Sequence, residues 1–88
     1  MRVGYNIKNK FFVYILHSTK FDKYYVGSTA NLSKRVEHHN SLKARWTKRY
    51  QPWILVFSEM FEDRSKAMTK EREIKRSKNI SRYVGKVE

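Results

Sequence analysis

The chain has 88 residues and no cysteine, which leaves room for one domain with a modest core and excludes disulfides, thiolate metal sites and cysteine nucleophiles. Twenty Lys and Arg against eight Asp and Glu give a formal net charge of +12. That balance is too lopsided for an average enzyme of small neutral metabolites and implies a polyanionic partner, nucleic acid or an acidic membrane surface. In chain order, Met1–Lys10 is polar, reads as a fraying lead-in, and has no apolar stretch of the kind a secretory signal needs, so the expected location is cytoplasmic. Phe11–Ser18 (FFVYILHS) is aromatic and β-branched and reads as a buried strand. Thr19–Lys23 is a polar connection containing Asp22, and Tyr24–Gly27 reads as a second strand. The pair should form a hairpin although its turn lacks Asn-Gly or Asp-Gly.

Ser28–Asn31 offers several helix N-caps in a row, and Leu32–Asn40 follows as a helix whose stripe is Leu32, Val36 and His39. Ser41–Gln51 is a basic connection with Trp46 and Tyr50 in it. Pro52 precedes a third strand, Trp53–Phe61. Asp63 is a good N-cap for a second helix running to about Ser77, with Ala67, Met68 and Ile74 as its apolar face. In Asn79–Glu88, Tyr83 and Val84 are placed to dock, and Gly85 should end any order. The outline is β-β-α-β-α: an α+β domain, core about residues 11–84, with a three-stranded antiparallel sheet flanked by helices. Disorder is set aside because 15% of residues are aromatic and only one is proline. No apolar run reaches bilayer length.

Several residues stand out chemically. Tyr14 and Tyr25 lie in the paired strands, and a buried phenol needs a hydrogen-bond partner; the plainer reading makes both core or rim aromatics. Gly27 either supplies a turn or allows close backbone approach by a phosphate near a helix N-terminus. Arg35 shares a helix face with Leu32 and His39, and is either a solvated cation or part of a site. His38-His39-Asn40 suits a helix C-terminus, where histidine interacts well with the dipole and also titrates near neutrality. Glu71 is the anomaly: it falls between Ala67 and Ile74 and interrupts the apolar stripe of the second helix. A salt bridge to Lys75 at i,i+4 explains it as well as a role binding a hard cation does. Glu73 and Glu59 are weaker candidates.

Phe12-Val13-Tyr14, followed eleven residues on by Tyr25-Val26-Gly27, resembles the two-part signature of the GIY-YIG nuclease family. Ser28-Thr29, Asn31-Leu32, Arg35, His39-Asn40, the Pro52–Phe61 strand and Ala67…Glu71…Lys75 continue the resemblance over about residues 11–84. It looks closest to small stand-alone members similar to the N-terminal nuclease domain of the bacterial excision-repair nuclease. The resemblance implies a DNA endonuclease acting with one divalent metal ion, Mg²⁺ or Mn²⁺, held by Glu71. It makes Tyr14, Tyr25, Arg35, His39 and Glu71 the catalytic set. Arg35 would grip the scissile phosphate, and Tyr14, Tyr25 or His39 would take a proton from water. Two departures exist: Phe12 stands where the first motif has glycine, and Ser28 stands where the repair-nuclease domain has lysine after its second motif glycine.

The phosphate-binding surface expected from the charge comprises Lys34, Lys43, Arg45, Lys48, Arg49 and Lys75, with Gly27 and Ser28 close to the reacting group. Trp46 or Tyr50 either stacks on an unpaired base or, as is slightly preferred, caps the sheet edge. The expected partner is DNA, branched or single-stranded, with RNA and a targeting protein also open and no membrane role. A part in repair or recombination rests on the resemblance alone. The competing reading is a catalytically silent nucleic-acid-binding module of the same fold. A basic ribonucleoprotein packing protein would explain the charge but not Glu71.

Overall fold

The computed structural model describes residues 10–88. The expectation for Met1–Lys10 therefore lies, except for Lys10, outside the described residues. The elements are β1 (Phe11–Ser18), β2 (Lys23–Thr29), α1 (Leu32–His39), a 3₁₀ turn (Trp46–Tyr50), β3 (Trp53–Phe61), α2 (Arg64–Arg76), a second 3₁₀ turn (Ile80–Tyr83) and β4 (Lys86–Val87). The sheet order is β2-β1-β3-β4. β1 runs antiparallel to both β2 and β3, and β4 joins β3 in parallel.

β1 is the centre of the molecule. Its side chains alternate between faces, and Val13, Tyr14, Ile15 and Leu16 are all fully buried. Val13 and Ile15 pack with Val26, Phe57, and Ala67 and Ile74 of α2. Tyr14 and Leu16 pack on the other face with Trp53, Tyr25, and Leu32 and Val36 of α1. A strand covered on both faces has no reason to alternate in polarity, which is why FFVYILHS reads as a continuous apolar run. Full burial of a side chain such as Ile15 contributes about 1.5–3 kcal/mol.

The turns and caps are local chemistry. Asp22 takes the left-handed conformation, φ 54°, that Gly would otherwise supply, and its N–H donates to the Ser18 carbonyl at 2.9 Å. Its carboxylate lies 2.8 Å from His17 Nε2. Asn31 caps α1 by accepting from the Lys34 N–H at 3.1 Å, and Asp63 caps α2 by accepting from the Ser65 N–H at 2.8 Å. Such caps are worth about 1 kcal/mol each.

Three expectations are corrected. The sheet has four strands and is mixed, not three-stranded and antiparallel. Gly85 does not end the order: with φ 113° it redirects the chain, its N–H donates to the Val56 carbonyl at 2.8 Å, and β4 follows. Glu88 then pins the strand, exchanging hydrogen bonds with Ser58 and accepting from the Met60 N–H at 2.8 Å. Met68 is 45% exposed rather than part of the apolar face, because it sits about 100° round the helix from Ala67, whereas Ile74, seven residues on, returns to Ala67's side.

Candidate functional site

Strand register builds the site. Tyr14 pairs with Gly27 across the β1–β2 ladder, so the two share a face. The Tyr14 ring lies over the glycine so closely that a Cβ there would come within 2.7 Å of its hydroxyl and 2.9 Å of Cζ. Gly27 thus serves close approach to a phenol rather than a turn. The Tyr14 hydroxyl is 3.3 Å from His39 Nε2, and His39 Nδ1 is 3.2 Å from Thr47 Oγ1. A neutral imidazole satisfies both partners at once, one nitrogen accepting and the other donating. Burial, with His38 and Arg35 nearby, pushes the His39 pKa down to about 4, so the ring is neutral at physiological pH. Burial, reinforced by the neighbouring Tyr25, pushes the Tyr14 phenol up to about 12, with the Arg35 guanidinium acting in the opposite direction.

Tyr25 lies on the same face, its ring 4.5 Å from that of His39 and 6.2 Å from that of Tyr14. Unlike Tyr14, it opens on a cleft of 510 Å³, walled also by Lys34, Arg35, His39, Arg45 and Trp46. Three cations and a phenol thus face one concavity, which gives it a positive potential.

Glu71 approaches from the opposite face. Ser28 follows Gly27, so its side chain points to the α2 side, and its hydroxyl donates to Glu71 Oε1 at 2.7 Å. Lys75 Nζ holds Oε2 at 2.8 Å. Burial alone would raise the Glu71 carboxyl, but the hydrogen bonds from Lys75 and Ser28 and the charges of Lys75 and Arg72 outweigh it and leave the pKa lowered. Its negative charge is also felt at Tyr14 across the edge strand.

The structure therefore gathers Tyr14, Tyr25, Gly27, Arg35 and His39 on one side of β2, and Ser28, Glu71 and Lys75 on the other. Lys34 and Arg45 join the cleft. Lys43 faces a separate shallow groove with Lys34 and His38, and Lys48 and Arg49 are exposed on the 3₁₀ turn outside the cleft walls, with Arg49 5.5 Å over the Tyr50 ring. Sequence reasoning missed Thr47, for which its place eight residues past His39 gives no signal. It also missed the clamping role of Asn40, whose amide donates to the Trp53 carbonyl at 3.0 Å and accepts from the Trp53 N–H at 2.7 Å. The aromatic pair divides: Tyr50 caps the sheet, edge-on to Phe21 and Trp53, whereas Trp46 is 62% exposed.

A family model described as the GIY-YIG catalytic domain matches residues 10–86. The chain belongs to the GIY-YIG family. Among similar GIY-YIG chains, the UPF0213 protein of Staphylococcus haemolyticus is 43% identical over 67 residues, covering 75% of this chain and 80% of its own length. The UPF0213 protein of Clostridium perfringens is 39% identical over 66 residues, covering 74% and 70%. The solution NMR structure of a UPF0213 protein from Bacillus halodurans superposes with a TM-score of 0.52 at 30% identity, covering 83% of this chain and 78% of that one. The GIY-YIG family is a nuclease family, which fits the cationic cleft and the charge. None of the described helices is long and apolar enough to cross a membrane.

Proposed function

We propose that the protein is a metal-dependent endonuclease that hydrolyses phosphodiester bonds in DNA. The observation that carries this reading is the juxtaposition, across one edge strand, of a cationic cleft holding Tyr25 and Arg35 with the partly buried carboxylate of Glu71.

The donor set suits a hard cation of modest affinity. Among the described residues no group of three or more His, Asp or Glu gathers to cage a metal. A single carboxylate with substrate phosphate and water completing the shell is how Mg²⁺ is commonly held, and Glu71 would be that carboxylate. When bound there, the ion would supply charge stabilisation to the phosphate oxygens. Arg35 grips a non-bridging oxygen with an always-charged fork. Lys34 and Arg45 position the flanking backbone. Tyr14 is walled off from solvent and stays protonated, so it is a positioning residue: it holds His39, and Thr47 holds the other imidazole nitrogen. With both ring nitrogens occupied, His39 is not free to take a proton from water. That leaves Tyr25, the phenol open to the cleft, whose oxygen would receive it once the phenol's own proton has passed to cleft water.

The second reading, a silent nucleic-acid-binding module, is favoured by one observation: both oxygens of Glu71 already have partners, Ser28 and Lys75. Cleavage of supercoiled plasmid and of branched and single-stranded oligonucleotides in Mg²⁺, Mn²⁺ or EDTA decides. Nicking that needs metal and falls at least about 100-fold in Glu71→Gln, with binding retained, is the expected result. Salt-sensitive binding without cleavage in any metal selects the silent module.

A further inference from the structure

We infer that Trp46 is a stacking platform for an unpaired base, so that the strand seated in the cleft is single-stranded at that point. This deepens the nuclease reading and rests on its assumption that the cleft takes a nucleic-acid backbone.

The two tryptophans of this chain are used oppositely. Trp53 is 3% exposed, and its indole N–H donates to the Thr47 carbonyl at 2.9 Å. Trp46 leaves 62% of its surface in water on the rim of the cleft. It is nevertheless held: its ring meets Tyr50 edge-on at 6.1 Å and Tyr25 at 6.0 Å with the planes 56° apart. Neither neighbour lies parallel to it, so neither occupies a stacking position. The indole starts the 3₁₀ turn Trp46–Tyr50, whose backbone is fixed by a hydrogen bond from Lys48 N–H to the Arg45 carbonyl at 3.2 Å. Arg45, Lys34 and Arg35 line the same cleft and supply the phosphate contacts that a stacked nucleotide needs on its backbone side.

A cationic track flanked by an accessible aromatic face is how proteins bind single strands without reading sequence. In a continuous duplex the base faces are covered by their neighbours, so the platform has nothing to receive. At a single strand, a branch or a frayed end it does. The substrate class assigned is therefore nucleic acid with at least one unpaired base next to the phosphate at Arg35.

The test is equilibrium binding in EDTA, which separates binding from chemistry. The full chain is titrated with a short single-stranded oligonucleotide and with the blunt duplex of the same sequence, following fluorescence anisotropy of the labelled oligonucleotide and intrinsic tryptophan emission. The single strand should quench the emission, and most of that quenching should vanish in Trp46→Phe, where only buried Trp53 reports. Trp46→Ala should weaken single-strand binding about 5- to 150-fold and change duplex binding less than about twofold, while Trp46→Phe recovers much of the loss. Trp46 is mostly solvated, so both variants should keep the wild-type circular dichroism. Equal loss on both substrates, or loss on neither, overturns the stacking role and leaves the nuclease reading standing. Failure of wild-type protein to bind either oligonucleotide overturns both.

Discussion

Gly27→Ala is the sharpest perturbation of the site, because its effect follows from one close approach. The added Cβ would meet the Tyr14 hydroxyl at 2.7 Å and Cζ at 2.9 Å, both well inside contact distance. A flexible side-chain tip could move away cheaply, but Tyr14 is 0% exposed, locked between Leu16, Trp53 and α1. The ring must shift within a packed layer, which costs about 1–3 kcal/mol. The shift also breaks the Tyr14–His39 hydrogen bond, another ~1 kcal/mol. Replacing a strand glycine returns about 0.5–1 kcal/mol through the unfolded chain. The net loss is about 2 kcal/mol, or a fall of about 8–16 °C in Tm for a domain of this size. Differential scanning calorimetry of wild type, Gly27→Ala, Tyr14→Phe and the double variant measures it. Tyr14→Phe removes the atom of closest approach, so the double variant should lose less than the sum of the single losses by about 0.5–1 kcal/mol. A Gly27→Ala protein that melts within about 2 °C of wild type, or strict additivity, would refute the claim that this glycine exists to admit the phenol.

Two further outcomes follow from the charges. The His39 pKa drops from an ordinary 6.5 to about 4 on folding, so the native state binds fewer protons there than the unfolded chain, and stability present above pH 6.5 is lost as pH falls toward 4. The full effect is at most about 3 kcal/mol, less as cleft water reaches the ring; thermal melts between pH 7 and 5, above the range where Glu71 and Asp63 titrate, should fall with pH in wild type and stay nearly flat in His39→Gln. Removing the ammonium that holds Glu71 Oε2 in Lys75→Met should let Mn²⁺ broaden the amide signals of Ser28 and Glu71 at about two- to five-fold lower concentration, given that partly exposed ion pairs are worth up to about 1 kcal/mol; unchanged or weaker broadening would show that Lys75 and the metal do not compete.

The elements whose stability is local or whose burial is one-dimensional were legible. Phe11–Ser18 and Trp53–Phe61 are apolar runs of strand length, and Asn31 and Asp63 announce their helices by cap chemistry. β4 was not legible, because Lys86–Val87 is too short to show a period and exists only through Gly85, Ser58 and Glu88 bonding across the chain. In the site, Glu71 was visible as a carboxylate in an apolar stripe; of the explanations offered for it the Lys75 pair forms, and the other carboxylate oxygen accepts from Ser28 beside the two-part motif, a contact the spacing gave no sign of. The division of labour between the two tyrosines was not visible, since Tyr14 and Tyr25 look alike in sequence. Only the tertiary covering of Tyr14 by α1 and Gly27, and the remote Thr47 on His39, separate a sealed phenol from an open one.

The alternation of strand side chains gives the Gly27-Ser28 pair a meaning beyond either residue. Consecutive positions point to opposite faces, so the glycine admits Tyr14 on the α1 side and the serine meets Glu71 on the α2 side, within one step of the backbone. A lysine at position 28, as the repair-nuclease domain carries after its second motif glycine, would on this register point to the α2 side, toward Glu71. That is the side on which Lys75 stands here, 2.8 Å from the carboxylate and one helical turn beyond it. Here the ammonium beside the carboxylate comes from α2. Lys75 thus pairs with the carboxylate of its own helix, and removing its ammonium frees Glu71 Oε2, which is the contact the Lys75→Met titration reads.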